Sequence, residues 1–251
     1  MKKIVIGIII CVMCCANQVC ASLYEETTKN RYEMFPDRYA DYLNDVDNSE
    51  YFETAFADDE SEFINRAELA LATMRLYEKI GRAYIITASE PPFADIYSDL
   101  FDGFGLGVYA EFDIQQAYFR GFINGEIVDS NSRILNYDRM ATKEEVYIAF
   151  SRVLKYFSAI YPDDINNALW NPEIYIQNDS ISDWATGEIG YMHNTKIFDN
   201  MDWETENFQE YVSSDECIDI MSKIYDYVYE DIGIEERLQD QGFFYWYEYT
   251  Y

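Results

Sequence analysis

The chain has few histidines, few basic residues and, after position 21, very little cysteine. Its 251 residues include a single histidine, His193, and its 47 aspartates and glutamates far outnumber its 18 lysines and arginines. One histidine argues against Ser–His–Asp catalysis and against metal sites built from several histidines. A net charge of −29 argues against a nucleic-acid partner, which would require a basic face. We therefore predict no nucleic-acid partner, no metal and no cofactor.

The N-terminal segment, positions 1–21, has the features of a secretory signal peptide. Lys2 and Lys3 form a basic start, an apolar run follows at Ile4–Met13, and Val19–Ala21 forms a small-residue cleavage site. The apolar run is about ten residues long, which is too short to cross a bilayer. We predict that 1–21 is a signal peptide, that the mature protein is secreted, and that no transmembrane segment remains after cleavage.

Cleavage would leave Cys217 as the one remaining cysteine, so we expect no disulfide within the mature chain. Cys217 lies in an apolar helical pattern, which favours a small buried hydrophobic residue over a reactive thiol. The composition is 49% hydrophobic and 18% aromatic, which provides material for a large core and argues against disorder.

The acidic residues are concentrated towards the two ends of the chain. Residues 22–114 carry a net charge of −14 and residues 158–251 a net charge of −18, whereas residues 115–157 carry +1. This nearly neutral middle segment either arises by chance from pairing on helix surfaces or marks a face that tolerates an anion.

Hydrophobic periodicity predicts a mainly α-helical protein. Apolar residues recur at helical spacing around 64–80, 146–157 and 220–228, which indicates three long amphipathic helices. Shorter helices are predicted at Tyr109–Phe122 and Trp184–Thr195, each followed by residues typical of turns. Strands are hard to identify, except in the alternating aromatic sequence at the C-terminus.

The helical patterns repeat along the chain. When the three long helices are aligned with one another, Arg75 matches Arg152 and Lys223, and when the two short helices are aligned, Ala110 matches Ala185. Each long helix is preceded by a capping box, in which a polar N-cap residue is followed three positions later by glutamate. The capping pairs are Asn65 and Glu68, Thr142 and Glu145, and Ser213 and Glu216.

The repeats divide the chain into six predicted segments. These are a signal peptide at 1–21, an N-terminal extension at 22–55, repeats at 56–130 and 131–205, a partial repeat at 206–232 and an aromatic tail at 233–251.

The motifs of these repeats resemble the S-layer homology (SLH) domain of bacterial surface proteins. The first copy reads INRAEL at 64–69, PPFADI at 91–96 and IQQAYFRGFING at 114–125. The second copy reads ATKEEV at 141–146, ISDWATGEIGYM at 181–192 and KIFDN at 196–200, and the third is limited to VSSDEC at 212–217. The resemblance implies a pseudo-threefold helical bundle whose grooves bind a cell-wall glycopolymer, often one that carries a pyruvate ketal.

The resemblance also implies a set of ligand-binding residues. The motif arginine matches Arg66, with Lys143 in the second copy, and the motif tryptophan matches Trp184, with Tyr109 in the first copy. The closing glycine of the motif matches Gly125. A carboxylated sugar needs a planar cation and an aromatic face, so one groove around Arg66 matches the family best, and a second is expected near Lys143 and Trp184. The third copy has serine in place of the arginine, and we expect it to be structural only.

These features lead to one main functional hypothesis and two alternatives. The main hypothesis is a non-catalytic secreted module that binds cell-wall polysaccharide and anchors at the bacterial surface. The first alternative is an extracellular protein-interaction module, in which the aromatic tail and the acidic surface recruit a basic envelope protein. A glycosidase is disfavoured because no cleft-forming motif places two of the many carboxylates together.

Two structural expectations accompany these hypotheses. Three cations recur in the middle of the long helices and are expected to pair with acids on neighbouring helices: Arg75, Arg152 and Lys223. Residues 30–55 are expected to supply the packing that the truncated third repeat lacks.

Overall fold

The computed structural model describes residues 48–57, 62–81, 92–96, 110–129, 132–160 and 176–228. The predicted signal peptide at 1–21, the aromatic tail at 233–251 and Tyr109 lie outside these ranges. Within them the protein is mainly helical, which confirms the mainly α class.

The elements follow one another in the order short helix, long helix, short helix, hairpin, long helix, short helix, long helix. In chain order they are α1 (Asn48–Glu53), α2 (Arg66–Gly81), α3 (Ala110–Phe119), β1 (Glu126–Ile127), β2 (Arg133–Ile134), α4 (Lys143–Ile160), α5 (Thr186–Thr195) and α6 (Ser214–Asp226). The three predicted long helices are therefore α2, α4 and α6, and the two predicted short helices are α3 and α5. None of the helices in the described ranges is both long and apolar enough to cross a membrane.

The antiparallel hairpin β1–β2 is an element that periodicity does not predict. Glu126 pairs with Ile134 and Ile127 pairs with Arg133. Strands this short cannot show an alternating pattern. A tertiary contact supports the second strand, because the Arg133 carbonyl accepts a hydrogen bond from the amide of Ala94.

Capping boxes start the first two long helices as the sequence predicts. Asn65 Oδ1 accepts a hydrogen bond from the Glu68 amide at 3.0 Å, and Glu68 Oε2 accepts one from the Asn65 amide at 2.8 Å. Thr142 and Glu145 form the same reciprocal pair, at 3.4 and 3.2 Å. These bonds satisfy amides at the helix ends that have no intrahelical acceptor.

A closed ring of backbone hydrogen bonds joins the starts of the three long helices. The Ile64 amide donates to the Val212 carbonyl at 2.9 Å, Val212 donates to Ala141 at 3.3 Å, and Ala141 donates to Ile64 at 2.9 Å. Each of the three residues stands two positions before its helix, and all three side chains are buried. Equivalent positions of the three segments are thus joined in a cyclic order.

Helix α2 occupies the centre of the core. Every residue from 67 to 80 is buried, including charged ones, because α1, α3, α4 and α6 all pack against this helix. Helix α6, in contrast, buries one face, formed by Cys217, Ile220, Met221 and Ile224. Cys217 is completely buried, as predicted, and burial raises the pKa of its thiol, with the nearby carboxylates adding to the effect.

Helix α1 packs against α6 and α2, which brings the N-terminal segment next to the predicted partial repeat. Tyr51, Phe52 and Ala55 are buried, and the ring of Phe52 lies 6.3 Å from that of Tyr225. Each long helix packs against a short one: α2 against α3, α4 against α5, and α6 against α1. The expected packing by residues 30–55 is therefore seen for 48–55, and residues 30–47 lie outside the described ranges.

The three mid-helix cations have different surroundings. Arg75 pairs with Asp113 on α3, as predicted for a neighbouring helix. Lys223 instead pairs with Asp219 of its own helix, one turn earlier, at 2.6 Å. Arg152 donates to the backbone carbonyl of Phe122 at 3.2 Å.

Candidate functional site

A pocket of about 420 Å³ opens between the start of α2, the face of α4 and the hairpin. Three of the residues that the resemblance singled out line it: Arg66, Gly125 and Trp184. Arg139 and Arg152 line it as well, together with two carboxylates, Glu126 and Glu145. Three arginines therefore face two glutamates in a protein whose overall charge is −29.

Arg66 is the first residue of α2, and two carboxylates hold its guanidinium in the pocket. Its Nη1 lies 2.6 Å from Glu126 Oε1 and 3.9 Å from Glu145 Oε1. Burial lowers the pKa of Arg66, and the two glutamates oppose this effect only in part. A cation in the first turn also opposes the helix dipole, so the position is electrostatically unfavourable without an anion nearby.

Arg139 and Arg152 belong to the site, although they are absent from the predicted set of ligand-binding residues. Arg139 forms a close ion pair with Glu145, and its Nε lies 3.8 Å from Glu126 Oε1. Burial lowers the pKa of Arg152, and Glu188 opposes this effect. Both arginines lie in the nearly neutral segment 115–157, and that charge pattern was the available signal for them.

Gly125 shapes the wall of the pocket through its backbone. Its φ is +63°, a conformation that side-chain-bearing residues rarely adopt. A Cβ atom here would collide with the Ile134 carbonyl oxygen and would lie 2.5 Å from Cε1 of Phe93. Glycine therefore lets the chain turn tightly into β1, which presents Glu126 to Arg66.

Trp184 lies at the edge of the pocket and is 62% exposed. It stands in a turn just before α5, where the Ala185 amide donates to the Ser182 carbonyl at 2.9 Å. The Ser182 amide donates to Glu144 Oε2 at 2.7 Å, which fixes this turn to the start of α4. An exposed indole on a fixed turn is a suitable stacking surface for the apolar face of a sugar ring.

Lys143 does not line this pocket, and the expected grouping of Lys143 with Trp184 differs from the structure. Lys143 Nζ lies 2.5 Å from Glu206 Oε1 and 2.9 Å from Glu216 Oε1. Burial favours a lower pKa for Lys143, but the hydrogen bonds to Glu206 and Glu216 outweigh it and raise the pKa. Trp184 instead lines the same pocket as Arg66.

The residues around Lys143 are more acidic than their counterparts in the Arg66 pocket. In the alignment that matches α4 with α6, Glu210 replaces Arg139 and Asp219 replaces Ile148. This region would repel an anion that the Arg66 pocket could accept.

The third helix start departs from the capping-box geometry of the first two. Ser213 Oγ accepts from the Glu216 amide at 3.2 Å, as in a capping box, while the Glu216 carboxylate contacts Lys143. The Glu216 carboxylate therefore neutralises Lys143 at the start of α4, whereas Glu68 and Glu145 each accept a hydrogen bond from the N-cap amide of their own helix.

Within the described parts of the chain, no group of three or more histidine, cysteine or acidic side chains is arranged to hold a metal ion. His193 packs its ring at 5.3 Å from that of Trp203.

No protein-family model matches this chain, and no curated protein matches it. The features of this chain that bear on function are therefore the three arginines around an open pocket and the exposed indole beside them.

Proposed function

We propose that the protein is a non-catalytic, secreted module that binds an anionic cell-wall polysaccharide and anchors at the bacterial surface. The pocket around Arg66 would hold a carboxylated sugar of a secondary cell wall polymer, such as one with a pyruvate ketal. The observation that carries this proposal is the meeting of Arg66, Arg139 and Arg152 beside the exposed Trp184.

The chemistry of the pocket suits such a ligand. A guanidinium offers paired N–H donors to a carboxylate, and the low exposure of Arg66 strengthens that interaction relative to bulk water. Trp184 would stack on the sugar ring. The overall negative charge is screened beyond about 8 Å at physiological ionic strength, so it opposes a polymer mainly outside the pocket.

The fold that we propose for this function is an SLH-like pseudo-threefold bundle. The ring of hydrogen bonds among Ile64, Ala141 and Val212 supports it, as does the pairing of a short helix with each long helix. The acidic surroundings of Lys143 favour one ligand site for each chain within this bundle.

Co-sedimentation with purified sacculi tests the proposal. We expect the protein to sediment with untreated sacculi and to stay in solution once the attached polymer has been stripped. Arg66→Ala and Trp184→Ala should each abolish or strongly weaken sedimentation, and Arg66→Lys should weaken it because the fork of donors is lost. Lys223→Gln removes a cation outside the pocket and should bind like the parent protein. Binding that survives stripping of the polymer would contradict the proposal.

The alternative function is a protein-interaction module, and one observation favours it. Ile127 and Val128 on the hairpin are 72% and 59% exposed, which is unusual for adjacent large apolar residues. If sedimentation persists after stripping and is lost on deletion of 242–251 or in an Ile127→Ser variant, the ligand is a protein of the envelope.

A further inference from the structure

Glu126 occupies the position in the pocket where a ligand carboxylate would be expected. It follows Gly125 directly as the first residue of β1, and its Oε1 lies 2.6 Å from Arg66 Nη1. The same oxygen lies 3.8 Å from Arg139 Nε and accepts a hydrogen bond from Asn136 Nδ2 at 3.4 Å. One carboxylate oxygen thus faces two of the three arginines of the pocket.

The two carboxylates that face Arg66 differ in how firmly they are held. Glu145 is tied to the start of α4, because its second oxygen accepts from the Thr142 amide at 3.2 Å. The Glu126 carboxylate has no comparable bond to a backbone amide of the described residues, and its side chain is 48% exposed, against 12% for Arg66. The cation is therefore largely buried, whereas this anion lies at the solvent edge, where an ion pair contributes little stability.

We propose that Glu126 is a built-in competitor for the carboxylate of the ligand. In the unliganded protein it satisfies Arg66, and on binding its side chain turns outward while the ligand carboxylate takes its place. This inference rests on the proposed function for the identity of the ligand. Its consequence is selectivity, because an uncharged sugar cannot replace the carboxylate that it displaces, whereas an anionic sugar can.

The test compares the parent protein with Glu126→Gln, which keeps the size of the side chain and removes its charge. The probe is a methyl glycoside with a 4,6-linked pyruvate ketal, and its isopropylidene ketal is the uncharged counterpart. Glu126→Gln should bind the charged glycoside about threefold to tenfold more tightly, and the uncharged one should also gain affinity, because it no longer has to break the ion pair of Arg66 with Glu126. Glu204→Gln is the control, since it makes the same charge change at an exposed position outside the pocket.

A second measurement separates this inference from the proposed function. Sodium pyruvate is titrated while the Nε–Hε signals of the arginines are followed by NMR, which reports a carboxylate at Arg66 without any sugar. If neither protein binds the glycoside but Glu126→Gln binds pyruvate more tightly, the competitor role holds and the polysaccharide proposal fails. If the parent protein binds the charged glycoside and Glu126→Gln binds it equally or less tightly, the competitor role is overturned and the polysaccharide proposal stands. Equal affinity of the two proteins for pyruvate would also overturn the competitor role of Glu126.

Discussion

Arg75 Nη1 on α2 lies 3.0 Å from Asp113 Oδ2 on α3, and these two side chains are 8% and 0% exposed. The equivalent residues of the predicted second repeat are Arg152 and Glu188. There Lys155 Nζ contacts Glu188 at 2.6 Å instead, and Arg152 lines the pocket. The arginine position is therefore part of a buried ion pair on α2 and part of a candidate ligand site on α4.

Removing one member of the buried pair should strongly destabilise the protein. Asp113→Ala would leave Arg75 charged in the core without this carboxylate, which costs about 3–5 kcal/mol of unfolding free energy. Urea denaturation measures the loss. Glu111→Ala, on a more exposed part of the same helix, should change stability by about 0.5 kcal/mol or less. A loss below about 1 kcal/mol for Asp113→Ala would contradict the structural role assigned to the pair.

Helix α1, the first helix of the described residues, should be required for stability. Phe52 is completely buried against α6, so Phe52→Ala should cost about 3–5 kcal/mol through lost contacts and the cavity that remains. Thermal and urea unfolding check this, with the exposed Glu53→Ala as the matched control on the same helix. Unchanged thermal stability after truncation at residue 55 would show that the segment contributes no packing.

Two glycines should respond in opposite ways to alanine. At Gly125 the positive φ and the contact of a Cβ with Ile134 should make Gly125→Ala destabilising by at least about 1 kcal/mol. At Gly187, within α5, a Cβ meets nothing within 4 Å, so Gly187→Ala should stabilise by about 0.5–1 kcal/mol. Differential scanning calorimetry compares the two variants directly. A Gly125→Ala protein as stable as the parent would mean that the turn into β1 can relax.

The stability of the protein should fall at alkaline pH, with Cys217 as the first cause. Burial raises the pKa of this thiol above its ordinary value of 9.0, so above that pH the unfolded state loses a proton that the folded state keeps. Unfolding free energy then decreases by about 1.4 kcal/mol per pH unit for this group. Burial also raises the pKa of Tyr147 from 10.0, which adds a second loss at higher pH.

Urea titrations between pH 8 and 11 distinguish the contribution of the thiol. Cys217→Ala should be less stable than the parent at pH 8, because of the small cavity, but its stability should fall less steeply between pH 9 and the pH at which the folded thiol ionises. Parallel curves for the two proteins would show that the thiol does not titrate differently in the folded and unfolded states.

The starts of the long helices were predictable because their signals are local. A capping box needs only two side chains a single helical turn apart, and at Asn65 and Glu68 these side chains make the predicted bonds. The hairpin was missed because its strands are too short to show alternation and its second strand is held by a contact with a segment distant in the chain, at Ala94.

The candidate site was predictable only in part. Arg66, Gly125 and Trp184 do meet in one pocket. Arg139 and Arg152 were not predicted to line this pocket. Their surroundings depend on which other side chains contact Glu145 and Glu188. The spacing of residues along one helix does not record those contacts.

The mainly helical class, the helix starts and the burial of Cys217 follow from the sequence alone, since apolar spacing and capping act over a few residues. Which cation faces an open pocket depends on the tertiary structure. Arg66 and Lys143 occupy equivalent positions, yet Lys143 is neutralised by Glu206 and Glu216, which lie beyond α5 in the chain. Arg66 faces Glu126 at the solvent edge of a pocket. Ion pairing between segments so far apart depends on how the helices pack, and no local pattern records it.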